Sequence, residues 1–154
     1  MSLAIEKILI PATGHPTRPI AEETGQQLDI AVIFTSVEST LAALREAGKL
    51  ANSLGARVTL VVPQVVPYPS PLETPPVLVE FNENRFRVMA SQSPVETSVQ
   101  IYLCRDRLET LTKVLKRGSI VILGGRKRWW PTQEKTLARQ LRRAGYEVLF
   151  KETE

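Results

Sequence analysis

The sequence predicts a doubly wound α/β domain, with a five-stranded parallel open sheet and helices on both faces, and three observations lead there. Ile30–Phe34 (IAVIF) and Ile120–Leu123 (IVIL) are apolar at every position. A strand of that kind has no face suited to water, the condition of a parallel sheet covered by helices on both sides. From residue 30 to residue 150, runs of this type alternate with segments of helical apolar spacing, the βαβα order that right-handed crossovers produce. With 154 residues and 43% hydrophobic content, the chain has material for one domain with a proper core.

Residues 1–28 form an N-terminal extension to a domain spanning 29–154. Within the extension Ile8–Ile10 is strand-like, but Pro11, Gly14, Pro16 and Pro19 interrupt any regular element, so it is expected to pack along the body or be partly disordered. The single histidine, His15, lies there, and no catalytic partner accompanies it.

Ile30–Phe34 is the best candidate for a central strand. The polar run Thr35–Thr40 offers several N-caps to a helix whose Leu41, Leu44, Ala47, Leu50, Ala51 and Leu54 recur at helical spacing, and Gly55 stands where a C-cap belongs. Val58–Val62 is the next strand. Six of the 11 prolines fall in Pro63–Pro76, which predicts a long extended connection with neither helix nor interior strand.

A helix over 77–92 would bury Leu78, Phe81, Phe86 and Met89. Val99–Leu103 reads as a strand, and Asp106 with Glu109 resembles a capping box for a helix burying Leu108, Leu111 and Leu115, ended by Gly118. Ile120–Leu123 is followed by a loop, Gly124–Thr132. A helix at Thr136–Ala144, with Leu137, Leu141 and Ala144 on its inner face, and an edge-like strand at Tyr146–Phe150 complete the chain.

Function is less legible. One cysteine, Cys104, excludes an internal disulfide and a thiolate metal cluster, and its place after an apolar strand reads as a small buried side chain. No apolar run reaches the ~18 residues of a membrane span and no leader pattern opens the chain, so a cytoplasmic protein is expected. No His–Ser or His–Cys pairing, metal-ligand spacing or paired carboxylates point to catalysis, and no catalytic residue is assigned.

The net charge of +4 is unevenly spread: Arg126, Lys127, Arg128, Lys135, Arg139, Arg142 and Arg143 stand against Glu134 alone. That local field favours an anionic partner. Arg126–Arg128 could neutralise phosphates and Trp129 or Trp130 could stack on a base, or the tryptophans could cover the sheet end or a neighbouring subunit. The patch is short and contains no recognised nucleic-acid motif, so nucleic-acid binding is not expected.

The element order and several local phrases resemble the universal stress protein family. In residues 30–62 the matching text is Thr40-Leu41-Ala42-Ala43-Leu44 and Leu50–Ala56; in 120–150 it is IVILGG and LARQLRRAGYEVLF. The resemblance implies an adenine-nucleotide alpha-hydrolase-like fold with strand order 3-2-1-4-5, which sets Thr35 and Ser36 beside Gly124 and Gly125 at the switch-point crevice. Many family members bind ATP there with an aspartate after the first strand and a G-x2-G-x9-G-[S/T] loop after the fourth.

In this chain the aspartate position is Thr35, the second glycine falls on Lys127, and the Gly-Ser pair falls near Glu134-Lys135. A non-enzymatic stress-response or regulatory module without standard ATP binding is therefore expected. The alternative is a nucleotide-binding member, taking ATP, AMP or a cyclic dinucleotide, that uses Thr35, Ser36, Gly124, Gly125, Arg126, Lys127 and Arg128 in a changed geometry. The GGRKRWWPTQ loop also resembles that of the stress-protein-like domain of potassium-sensor histidine kinases, some of which bind a cyclic dinucleotide. The family's habit of pairing through the last strand implies a homodimer at Tyr146, Val148 and Phe150.

Overall fold

The computed structural model describes residues 28–65 and 97–153, the positions 86, 88, 89, 91, 92 and 95, and the backbone of 7–10. In chain order the elements are β1 (Lys7–Ile10), β2 (Asp29–Ile33), α1 (Val37–Leu54), β3 (Arg57–Val65), β4 (Thr97–Cys104), α2 (Arg107–Val114), β5 (Ile120–Arg126), α3 (Gln133–Arg143) and β6 (Glu147–Thr153). They form a six-stranded sheet in the order β1-β4-β3-β2-β5-β6. The five strands from β2 onward are parallel and, counted among themselves, run 3-2-1-4-5. The extension contributes the sixth, antiparallel strand, with Lys7 opposite Tyr102 and Ile10 opposite Val99.

Alternation along each strand sorts the core into two layers. Ile30, Val32, Val58, Leu60 and Ile122 face α1, where Ala43, Leu44, Ala47 and Ala51 supply the other side. Ala31, Ile33, Val61, Val121, Leu123 and Val148 face α2 and α3 and meet Leu111, Leu115, Leu137 and Leu141. A strand feeding both layers has to be apolar throughout, which is why β2 and β5 read as continuous runs. Each fully buried Ile or Leu contributes about 1.5–3 kcal/mol.

Helix starts follow the local chemistry. Ser36 caps α1 by accepting from Ser39 N, Asp106 caps α2 by accepting from Glu109 N, and Thr132 caps α3 by accepting from Lys135 N. At the end of α1, Gly55 adopts the left-handed conformation, φ 66°. Helix α2 stops at Leu115, and Gly118 belongs to the turn that follows. Helix α3 starts earlier than the apolar spacing suggested, and Ala144 is its exposed C-cap, not a core residue.

Two boundaries differ from expectation for a physical reason. Strand β3 continues through Pro63 to Val65, paired with Tyr102–Cys104 of β4. Its other neighbour, β2, stops at Ile33 opposite Val61, and Phe34 N donates to Val61 O. Backbone groups alternate sides along a strand, so the Pro63 nitrogen, two residues on, faces the side that β2 has vacated and no ladder bond is lost.

Likewise Gly124–Arg126 are strand, not loop, because β6 runs on to Thr153 and pairs with them. The connecting loop is Lys127–Thr132. Most of the proline-rich connection, most of the 77–92 segment and His15 lie outside the described residues, although Phe86 and Met89 are helical and buried as expected.

Among the described residues no helix is long and apolar enough to cross a membrane.

Candidate functional site

A doubly wound sheet opens a crevice where its winding direction reverses, here between the carboxyl ends of β2 and β5, whose last paired residues are Ile33 and Leu123. Beyond that pair the chain continues as Thr35 and Ser36 on one side and Gly124–Arg126 on the other. The fold thus brings to this crevice the segments that carry Thr35, Ser36, Gly124 and Gly125.

Around the crevice the protein's own groups bond to one another. Thr35 Oγ1 donates to Gly124 O at 2.8 Å, and Thr35 N donates to Thr40 Oγ1 at 3.1 Å. The first turn of α1 lies directly on Gly124: a Cβ there would stand 2.2 Å from Ser39 O and 2.7 Å from Ser39 C. Ser39 Oγ is 3.1 Å from Thr153 Oγ1, which itself donates to Gly125 O at 3.2 Å, and Lys127 N donates to Thr153 O at 2.6 Å. At the rim Arg126 stands 3.8 Å from Glu38, both of them largely exposed.

The electrostatics follow from which groups face inward. A phosphate cradle needs unpaired N–H donors. Here the glycine group aimed at Thr35 is a carbonyl, and it is already hydrogen-bonded. Glu38 in the first turn suits the positive end of α1 but places a carboxylate where an anion would bind.

Gly125 serves the opposite layer. A Cβ on it would meet Phe150 Cζ at 2.5 Å and Glu134 Cβ at 3.2 Å, so its role is to admit the Phe150 ring and the first turn of α3. Beyond it the loop rises on that same face. Arg128 lies 5.3 Å from the Trp130 ring centroid, Trp129 and Trp130 form an edge-to-face pair at 5.5 Å, and Lys135 Nζ donates to Arg128 O. Trp129 is 91% exposed and Trp130 45%, so Trp129 covers nothing while Trp130 is partly packed. Between the loop, α3 and β6 is a groove of about 450 Å³ lined by Trp129, Trp130, Phe150, Arg139, Arg142 and Glu152, among others.

The seven residues singled out from sequence therefore divide. Thr35, Ser36, Gly124 and Arg126 gather around the start of α1; Gly125 is buried under Phe150; Lys127 ties its backbone to Thr153; Arg128 belongs to the tryptophan loop. Sequence reasoning missed Ser39 and Thr153, whose hydroxyls link the first turn of α1 to the end of β6 beside the crevice. The usable signal was the Gly124-Gly125 pair continuing an apolar strand, since successive strand residues face opposite layers and each glycine then marks a close approach on one of them.

Cys104 is buried, with its thiol 3.7 Å from Gln64 O, and burial raises its pKa. Among the described residues no group of three or more His, Cys, Asp or Glu could hold a metal ion.

Strand order, parallel pairing and the placement of the crevice define this as a universal stress protein fold. Two solved structures carry the comparison. A universal stress protein family member from Burkholderia pseudomallei superposes with a TM-score of 0.55 at 21% identity, covering 83% of this chain and 98% of its own. A universal stress protein in complex with cAMP superposes with a TM-score of 0.52 at 14% identity, covering 82% and 98%. No protein-family model matches the chain, and no curated protein matches it by sequence.

Proposed function

We propose that this protein is a non-enzymatic regulatory module of the universal stress protein type whose switch-point crevice is closed to ATP. The observation that carries the reading is the seating of α1 on Gly124, where Ser39 O leaves no room even for a methyl group. A phosphate at that spot would have to displace a helix turn held by the Thr35–Gly124 and Ser39–Thr153 hydrogen bonds.

The second reading, a nucleotide-binding member with an altered phosphate loop, draws on the cAMP complex of one structural neighbour. Titration calorimetry with ATP, AMP, cAMP and a cyclic dinucleotide separates the two. The first predicts no saturable heat with any of them. Micromolar binding that disappears in Lys127→Ala/Arg128→Ala would establish the second.

Pairing of two copies through β6 remains part of the proposal, because among the described residues β6 is an edge strand of the sheet. The side chain available there is Leu149, 42% exposed, whereas Val148, Tyr146 and Phe150 pack toward α2 and α3.

A further inference from the structure

From Arg126 to Arg143 the chain carries seven cations and one carboxylate, net +6, so the remaining residues together are at −2. Lys135, Arg139 and Arg142 are spaced i, i+4, i+7 and fall on one stripe of α3. All three line the same groove as Trp129, Trp130 and Phe150. The sequence alone could not place the basic stripe and the aromatic rings around one concavity.

We propose that this groove binds single-stranded nucleic acid, its bases stacking on Trp129 and Trp130 and its phosphates running along Lys135, Arg139 and Arg142. Lys127 and Arg128 before the tryptophans and Arg143 after the stripe add cations close by in sequence, whereas Arg126 turns to Glu38 on the α1 side; a run of cations this long suits a polyanion. Trp129, Trp130 and Phe150 line the concavity, and Trp129, 91% exposed, leaves ring surface free for a base. Stacking of that kind needs bases with free faces, which a single strand has and a duplex lacks.

The wall is set before any ligand arrives. Lys135 Nζ holds Arg128 O, Arg128 packs on Trp130, and Thr132 Oγ1 accepts from Lys135 N at 3.2 Å where the loop enters α3. A preformed wall saves the ordering cost of binding. Glu152, the carboxylate in the lining, opposes an anionic ligand and sets the sign of one test. The groove lies on the α3 face of the sheet and the switch-point crevice beside α1, so nucleotide binding that survives Trp129→Ala belongs to the crevice and binding lost with it belongs to the groove.

Trp129 and Trp130 are the only tryptophans in the chain, so intrinsic fluorescence reports on this loop alone. The intact protein is titrated with oligo-dT of about 15 nucleotides, a length that covers a typical single-strand site. Anisotropy of the same labelled oligonucleotide is followed at several salt concentrations. Matching titrations use the oligo-dT·oligo-dA duplex, heparin, and phosphatidylcholine vesicles containing phosphatidylglycerol.

The proposal expects saturable quenching by oligo-dT and an affinity that falls with salt. Trp129→Ala, which removes an exposed ring and leaves the core intact, should weaken binding about tenfold. Arg139→Ala should lower the logarithmic salt slope by about 0.7. Glu152→Gln should tighten binding.

Absence of an anisotropy change would overturn the proposal. Equal quenching by heparin or by the duplex would do the same, since neither presents free base faces. A fluorescence blue shift with vesicles but no response to oligo-dT would reassign the surface to a membrane.

Discussion

Gly124 and Gly125 are adjacent, yet they admit different neighbours to opposite layers, and substitution should reveal the difference. At Gly124 the added methyl meets helix backbone at 2.2 Å; at Gly125 it meets the far edge of a phenyl ring at 2.5 Å, which can turn away. Gly124→Ala should therefore destabilise the protein by about 3 kcal/mol in urea unfolding, at the upper end of overpacking costs, and Gly125→Ala by distinctly less. Equal losses would argue against the seating of α1 described above. Cys104 gives a prediction in pH. Burial raises its thiol above the ordinary value of 9.0, so the unfolded chain ionises first. Stability is insensitive to this group below 9.0 and falls as pH rises through 9.0 toward the folded value. Urea midpoints measured on either side of that pH should decline less steeply in Cys104→Ala. Tyr102, whose pKa is also raised by burial, adds a loss of the same sign from its ordinary value of 10.0.

Among the elements, β6 decides most. Lys127 N donates to Thr153 O, so Thr153 faces β5, and alternation turns the backbone of Val148 to the open edge. Arg142 covers that carbonyl, its Nε and a terminal nitrogen donating to Val148 O at 3.3 and 3.1 Å. A charged side chain on an edge discourages another strand from pairing there. Arg142→Ala should thus raise the share of dimer or larger species in light scattering, while Leu149→Lys should lower it. An unchanged mass in both variants would remove β6 as an assembly surface. The strand was legible from its alternating residues, but its length was not. Lys151-Glu152-Thr153 has no apolar signal, and these residues are strand because β5 continues beside them. The same pairing converted the expected glycine loop into strand, and the absence of a partner beyond Val61 let a proline stay in β3.

For the whole molecule, the order of apolar runs was enough to read a doubly wound sheet with helices on both faces, because strands buried on both faces leave a continuous hydrophobic trace, whereas the 3-2-1-4-5 winding was implied by the resemblance to universal stress proteins. The location of the crevice followed from that winding. The Ser39–Thr153 contact beside it did not, since these hydroxyls are separated by 114 residues and only the folded sheet brings them to 3.1 Å. The basic stripe was visible in sequence, whereas its shared groove with the tryptophans was not. The central claim, a universal stress protein fold with its nucleotide crevice closed, is tested most directly by thermal unfolding with and without ATP, AMP and cAMP. A ligand bound with micromolar affinity and present at about 1 mM would add roughly 4 kcal/mol of stability, a rise of many degrees in a domain of this size. The closed crevice predicts the same Tm in all four conditions, and a saturable rise with any one nucleotide would contradict it.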